Sequence, residues 1–191
     1  MKGVVQIGAH YGEEHEGWLA LGVENFIYFE PVRRNYIKLK KIIGNKPNIK
    51  LYNIALGNMK GEIMMHTETE HQGKSCSILK PTGHLDQYPD IEFDGKEVVQ
   101  IDRLDNIEYD RKLYDHLHID TQGYELEVLK GAVNSLDHIK TIDCEVYRKE
   151  LYEGCADWLQ ITNLLDIYGY KLIEVYWRGL TWGDAKFKRR I

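Results

Sequence analysis

An α/β fold, with a largely parallel sheet and helices on both of its faces, is predicted by three observations. Short apolar runs alternate with amphipathic helical patterns along most of the 191 residues. Glycines or acids stand where those runs stop. The resulting β-α-β-α-β order demands right-handed crossovers, which set consecutive strands parallel.

The elements follow in order. Val4–Ile7 reads as a buried strand and the stretch around Glu13–Leu21 as a helix. Asn25–Phe29 is a second strand, and Val32–Ile43 a helix with apolar residues at Ile37, Leu39, Ile42 and Ile43. Ile49–Ile54 is a third strand. Residues 60–101 break the alternation: the stretch is polar, holds Pro81 and Pro89, and offers strand-like pieces only at Glu62–His66 and Val98–Ile101. It is expected to be an insertion over the sheet's carboxyl edge, within one domain spanning 1–191. Leu113–Ile119 resumes the pattern and leads to a helix from about Tyr124 to Ala132. Ile139–Glu145 is the next strand. Ala156–Tyr168 is an amphipathic helix ended by Gly169. Lys171–Trp177 and Ala185–Ile191 read as a closing antiparallel pair, whose basic residues Lys186 to Arg190 suit a solvated edge.

Composition narrows the function. Hydrophobic residues make up 43% and charged residues 29%, an ordinary globular balance. A net charge of −5 argues against a protein that tracks nucleic-acid phosphates. No apolar run approaches the ~18 residues of a membrane helix, and the N-terminus has no signal-peptide pattern. Cys76, Cys144 and Cys155 are odd in number and form no C-x-x-C pair, which fits buried thiols in a reduced, cytoplasmic protein.

In an open α/β sheet, ligands bind beyond the carboxyl ends of the strands. Five strands deliver glycines or polar groups there: Gly8 to His10, Glu30-Pro31, Asn53 to Ala55, Asp120, and Glu145. Gly8 allows a sharp turn and close approach to the backbone, and Gly12 allows close packing where the helix begins. A dinucleotide loop would need glycine at the position of His10. Glu30, 22 residues after Gly8, suits the two hydroxyls of a ribose, or equally the N-terminus of the helix it precedes. A glycine turn plus Glu30, with no pyrophosphate loop, points to S-adenosylmethionine. Asp120, beside the turn Thr121-Gln122-Gly123, suits the donor's amino group, a metal or an acceptor's proton, and also simple capping of the helix.

The segments VVQIGAHYGEE, FIYFEPVRRNYIKLKK, NIALGN, IDRLD, LHIDTQGYELEVLKGA and TIDCEVY, in this order and spacing, resemble the FkbM-type methyltransferases from about Val4 to Tyr147. That resemblance implies a class I, Rossmann-like methyltransferase fold, S-adenosylmethionine as donor, and O-methylation of a carbohydrate or glycoconjugate hydroxyl. Carried over residue by residue, it places Gly8, Ala9, Gly12, Glu30, Asn53, Ala55 and Asp120 around the donor, with Gln6, His10, Pro31 and Gln122 as further candidates for that site. Three residues depart from the family pattern: Gln6 stands in place of an acid, His10 in place of Asn, and His118 in place of Lys.

Methyl transfer to a hydroxyl needs alignment of the reacting atoms and a base or metal for the hydroxyl proton. His10, Asp120 and Glu145 are the catalytic candidates, although His10 would equally bond its own turn. Asp120, Asp143 and Glu145 are candidate oxygen ligands for Mg²⁺ or Mn²⁺, or else structural acceptors. His66, Glu68 and Glu70 would share one face of an extended strand, a pattern that also suits a solvated edge. Ser75, Tyr147, Arg148, Trp177, Arg178 and Trp182 are candidates for a sugar-binding wall, with hairpin packing the alternative for the tryptophans. A nicotinamide-dependent oxidoreductase is disfavoured by His10. A degenerate module that binds the donor or a glycan without transfer remains the competing reading.

Overall fold

The computed structural model describes residues 1–190; the final residue of the expected Ala185–Ile191 strand lies outside them. Ten strands and five helices follow in the order β1 (Gly3–Ile7), α1 (His15–Ala20), β2 (Asn25–Phe29), α2 (Arg33–Ile43), β3 (Ile49–Tyr52), β4 (Ala55–Leu56), β5 (Gly61–Thr67), α3 (Gly83–Gln87), β6 (Gly95–Asp102), β7 (His116–Ile119), α4 (Glu125–Lys130), β8 (Thr141–Tyr147), α5 (Trp158–Ile167), β9 (Tyr170–Arg178) and β10 (Trp182–Arg189).

The main sheet runs β3-β2-β1-β7-β8-β10-β9. Its pairs are parallel until β10, which is antiparallel to both β8 and β9. Strand order reverses between β1 and β7, the place where a doubly wound sheet leaves a crevice. β5 and β6 pair antiparallel, and β4 adds to β6 in a second, three-stranded sheet.

Strand parity sorts the core. Ile7, Leu117, Ile119, Ile142 and Val146 pack on one face with Val128 and Leu129 of α4 and Ile161 and Leu165 of α5. On the other face Val4, Phe26 and Tyr28 pack with Trp18 of α1 and Leu39 and Ile43 of α2. The inward stripe of α2 is Asn35, Leu39 and Ile43, four residues apart, while the apolar Ile37 and Ile42 are exposed. α5 begins at a reciprocal cap, in which Asp157 accepts from the Gln160 N–H and Gln160 accepts from the Asp157 N–H. Between α1's territory and β10, the face continues through His116, His118, Thr141, Asp143 and Lys186, a polar stretch of sheet.

Candidate active site

A cavity of about 440 Å³ opens at the carboxyl ends of β1, β2, β7 and β8, within the range of small-molecule sites. The β1 turn forms one wall. Gly8 has φ 80°, and a Cβ there would fall 1.7 Å from the carbonyl oxygen of Asp120. The ends of β1 and β7 are therefore in backbone contact, and only glycine fits between them. Gly12, also at φ 80°, does not face the cavity; a Cβ there would meet Ile43 and Leu39 of α2.

Glu30 lies at the tip of β2, 4% exposed. One carboxylate oxygen accepts the His10 N–H at 2.8 Å and the other the Val32 N–H at 2.9 Å. Burial pushes its pKa up to about 7 against the pull of those two donors. Asn53 supports this corner from behind, donating to the carbonyls of Glu30 and Pro31 at 2.9 and 2.8 Å. It does not line the cavity, whereas Pro31, its neighbour Ile54 and Ala55 do.

The opposite end is acidic. Gln122, at φ 56°, donates from one amide nitrogen to Asp120 at 2.7 Å and to Glu145 at 3.0 Å, and its oxygen accepts the Tyr152 hydroxyl at 2.7 Å. Tyr147 donates to the same oxygen of Glu145. Burial raises the Asp120 carboxyl. Burial, with Asp120 and Glu125 nearby, raises Glu145 well above the carboxylate range. Glu125 is 1% exposed and accepts from the Thr121 N–H and hydroxyl and from the Gly123 N–H, so it fixes the turn that carries Gln122. Burial lifts its pKa to about 7. This role exceeds the favourable macrodipole placement that its position alone indicates.

Several expectations are corrected. His10 is not a free base. Its Nδ1 bonds Glu13 at 2.7 Å and its Nε2 the carbonyl of Gln72 at 2.9 Å. Burial acts to lower its pKa, but these bonds and the charges of Glu13 and Glu30 outweigh it and raise the value. An imidazolium with both N–H groups committed cannot take a second proton. Gln6 is 1% exposed and turned away; it donates to Glu14 at 2.7 Å and accepts from Trp18 at 3.4 Å. Glu14, missed in the sequence, lines the cavity instead.

The proposed oxygen-ligand set does not assemble, because Asp143 sits a full strand repeat behind Glu145 on β8. Among the described residues, the group close enough to share one ion is His116, His118 and Asp143. The face of His66, Glu68 and Glu70 fails because β5 stops at Thr67. Glu68 turns inward, fully buried, and accepts the N–H groups of His71 and Ser75.

On the acceptor side, Ser75, Tyr147, Arg178 and Trp182 line the cavity, while Arg148 and Trp177 do not. Register explains the split: Trp182 pairs with Arg178 and Trp177 with Gly183, so the two tryptophans take opposite faces. Trp177 packs on Trp158 and under the Arg148 guanidinium, 3.7 Å above its ring. Trp182 donates to the Tyr88 hydroxyl at 3.1 Å. Residues of the 61–102 segment complete the wall, among them His71, Lys74, His84, Tyr88 and Ile91. His84 is 3% exposed, burial lowers its pKa, and its Nδ1 has no hydrogen-bond partner.

The Methyltransferase FkbM domain family matches residues 6–172. A 2-O-methyltransferase, NoeI, of Sinorhizobium fredii is 28% identical over 190 residues, covering 95% of this chain and 77% of that protein. Among solved structures, the N-methyltransferase NodS from Bradyrhizobium japonicum is similar over 100% of this chain and 86% of its own, with TM-score 0.55 and 10% identity. Magnesium protoporphyrin IX methyltransferase from Synechocystis PCC 6803, solved with bound S-adenosylmethionine, is similar over 98% and 69%, with TM-score 0.54 and 8% identity.

Proposed function

The chain belongs to the FkbM methyltransferase family, and we propose that it methylates a sugar hydroxyl at the expense of S-adenosylmethionine. The fold is that of the Rossmann-like, S-adenosylmethionine-dependent methyltransferases. The observation that carries the proposal is the charge of the cavity. Its lining holds six acids, Glu13, Glu14, Glu30, Asp120, Glu145 and Asp184, against His10, Lys74 and Arg178 as cations. Such a lining suits a ligand with a positive sulfonium and a positive amine.

When bound, the donor supplies an electrophilic methyl group on sulfur. Glu30 would accept hydrogen bonds from the ribose hydroxyls, since each carboxylate oxygen has a lone pair left after its backbone donor. Gly8, Ala9 and the Pro31 to Ala55 corner would hold the nucleoside, and Asp120 and Glu14 the amino end. Trp182 and Tyr88 offer flat faces on which a sugar ring stacks, with Arg178 as a donor to its hydroxyls. The carbohydrate acceptor is supported by these aromatics and by the 2-O-methyltransferase relative.

For the acceptor's proton, His84 replaces His10 as the base. It is a neutral imidazole on the cavity wall with an unpartnered nitrogen. His84→Asn is expected to lower kcat about 100-fold while leaving donor affinity intact.

The test is an acceptor screen by mass spectrometry with S-adenosylmethionine and glycans lacking methyl groups. A gain of one methyl per acceptor, abolished when the target hydroxyl is deoxygenated, is the expected result. Donor binding without transfer to any hydroxyl would favour the degenerate binding module, and methylation at nitrogen would overturn O-methylation.

A further inference from the structure

One repeat behind the cavity floor, β7 and β8 bring together three side chains that the methyl-transfer reading leaves unused. His116 and His118 stand two apart on β7 and so share a face. Asp143 lies opposite His118 on β8. One ligand atom from each falls within 4.8 Å of the others, and His116 Nε2 is 3.8 Å from an Asp143 oxygen.

The polar groups in this cluster are not satisfied by the protein. His116 is 2% exposed, and among the described residues neither its Nε2 nor the buried Nδ1 of His118 has a hydrogen-bond partner. A buried imidazole nitrogen without a partner is destabilising, so two of them in one cluster beside a carboxylate demand an explanation. Thr141 supplies the outer support: its hydroxyl meets His116 Nδ1 at 2.8 Å, which fixes the ring and leaves Nε2 directed at the cluster. Metal-ligating histidines are held in this way. Trp18 packs against both imidazoles, at centroid distances of 5.2 and 5.7 Å, and closes one side. Lys186, opposite Asp143 in register, is engaged with Glu174 at 3.1 Å. Asp143 keeps a side-chain exposure of 24%, which leaves a route to solvent.

We propose that His116 Nε2, His118 Nδ1 and an Asp143 carboxylate oxygen form a binding site for an imidazole-preferring divalent ion, with Zn²⁺ as the reference, leaving a fourth position for water. Two imidazoles and a carboxylate are a common zinc donor set, whereas Mg²⁺ prefers all-oxygen ligands. The site is distinct from the methyl-transfer cavity: none of its three ligands lines that cavity. Its ion would tie β7 to β8 two residues before Asp120.

The probe is Zn²⁺ itself, with Co²⁺ as a spectroscopic substitute, added to the full chain and followed by metal analysis after dialysis. One equivalent is expected, with an intense tetrahedral-type Co²⁺ absorption band and no displacement by excess Mg²⁺. Zn²⁺ at a hundredfold excess over Kd should raise Tm by about 5–10 °C, and a chelator should reverse the rise. His118→Gln should abolish binding, and the near-isosteric Asp143→Asn should weaken it at least about tenfold. Asp143→Asn leaves both imidazoles in place, so it decides the matter if His118→Gln does not fold. His138→Gln, on another part of the surface, should bind as the parent does. Absence of Zn²⁺ on the folded parent chain overturns the site, as does undiminished binding by folded Asp143→Asn and His118→Gln.

Discussion

The cavity has an acid at each end, and the two ends differ. At the β2 tip, Glu30 stands alone and each of its oxygens faces a backbone N–H. At the tips of β7 and β8, Asp120 and Glu145 share a single amide nitrogen of Gln122, with Glu125 close by. Burial raises all of them, but like charge adds to the rise only at the second end. On the proposed reading the first end takes the neutral hydroxyls of the ribose, and the second, where like charges crowd, takes the cationic end of the donor.

The largest effect that would break this contrast is at Glu30. Glu30→Ala removes a charge-assisted acceptor and strands two N–H groups, so S-adenosylmethionine affinity should fall by about 100-fold or more. Glu30→Gln, which keeps one acceptor, should cost about tenfold. Calorimetry that found equal affinities would remove Glu30 from the ribose.

Proton linkage comes next. The folded chain holds the Glu30 proton at about 7, against an ordinary value of 4.5. This stabilising contribution is fully present below about pH 4.5 and is lost as pH rises through about 7, roughly 3 kcal/mol over the window. Buried histidines act in the opposite direction, so the clean measurement is a difference. Urea unfolding of the parent and of Glu30→Gln across this range should diverge in slope, and parallel curves would discard the account.

The smallest effect sharpens the second end. Asp120→Asn removes one of the crowded carboxyls, so the ligand-free protein should gain about 1 kcal/mol, or about 2–4 °C in Tm. The same change should weaken donor binding about tenfold. A fall in Tm would mean that Asp120 is better compensated than its neighbours indicate.

What was legible in the sequence follows from periodicity. Gly8, Glu30, Asp120 and Glu145 were found because each ends an apolar run, and parallel crossovers send such ends to one edge. Parity rightly put Asp143 and Glu145 on one face but said nothing of their separation along β8. The hairpin register that divides Trp177 from Trp182 has no signal in either residue alone. Glu14, His84 and Tyr88 escaped because they sit in a turn, in a five-residue helix and just after it, segments too short for a period to link a residue to a face. Asn53 and Gln6 were placed at the right edge, yet their amides are spent on the Glu30-Pro31 carbonyls and on Glu14. The polarity of residues 60–101 marked a break in the alternation, whereas the small sheet formed there required the pairing of β5 with β6.

The contact between Gly8 and the Asp120 carbonyl has a mechanical meaning. Two strand ends pressed backbone to backbone, each within a sheet paired on both sides, form a rigid anvil. The loop that carries Gly8 cannot swing outward without dragging Asp120 with it. Any breathing that admits or releases a ligand must then come from the 61–102 side, which meets this anvil through side chains such as Lys74 and His84. Turnover in such an enzyme would be paced by one jaw, the other serving as the fixed reference for the in-line geometry.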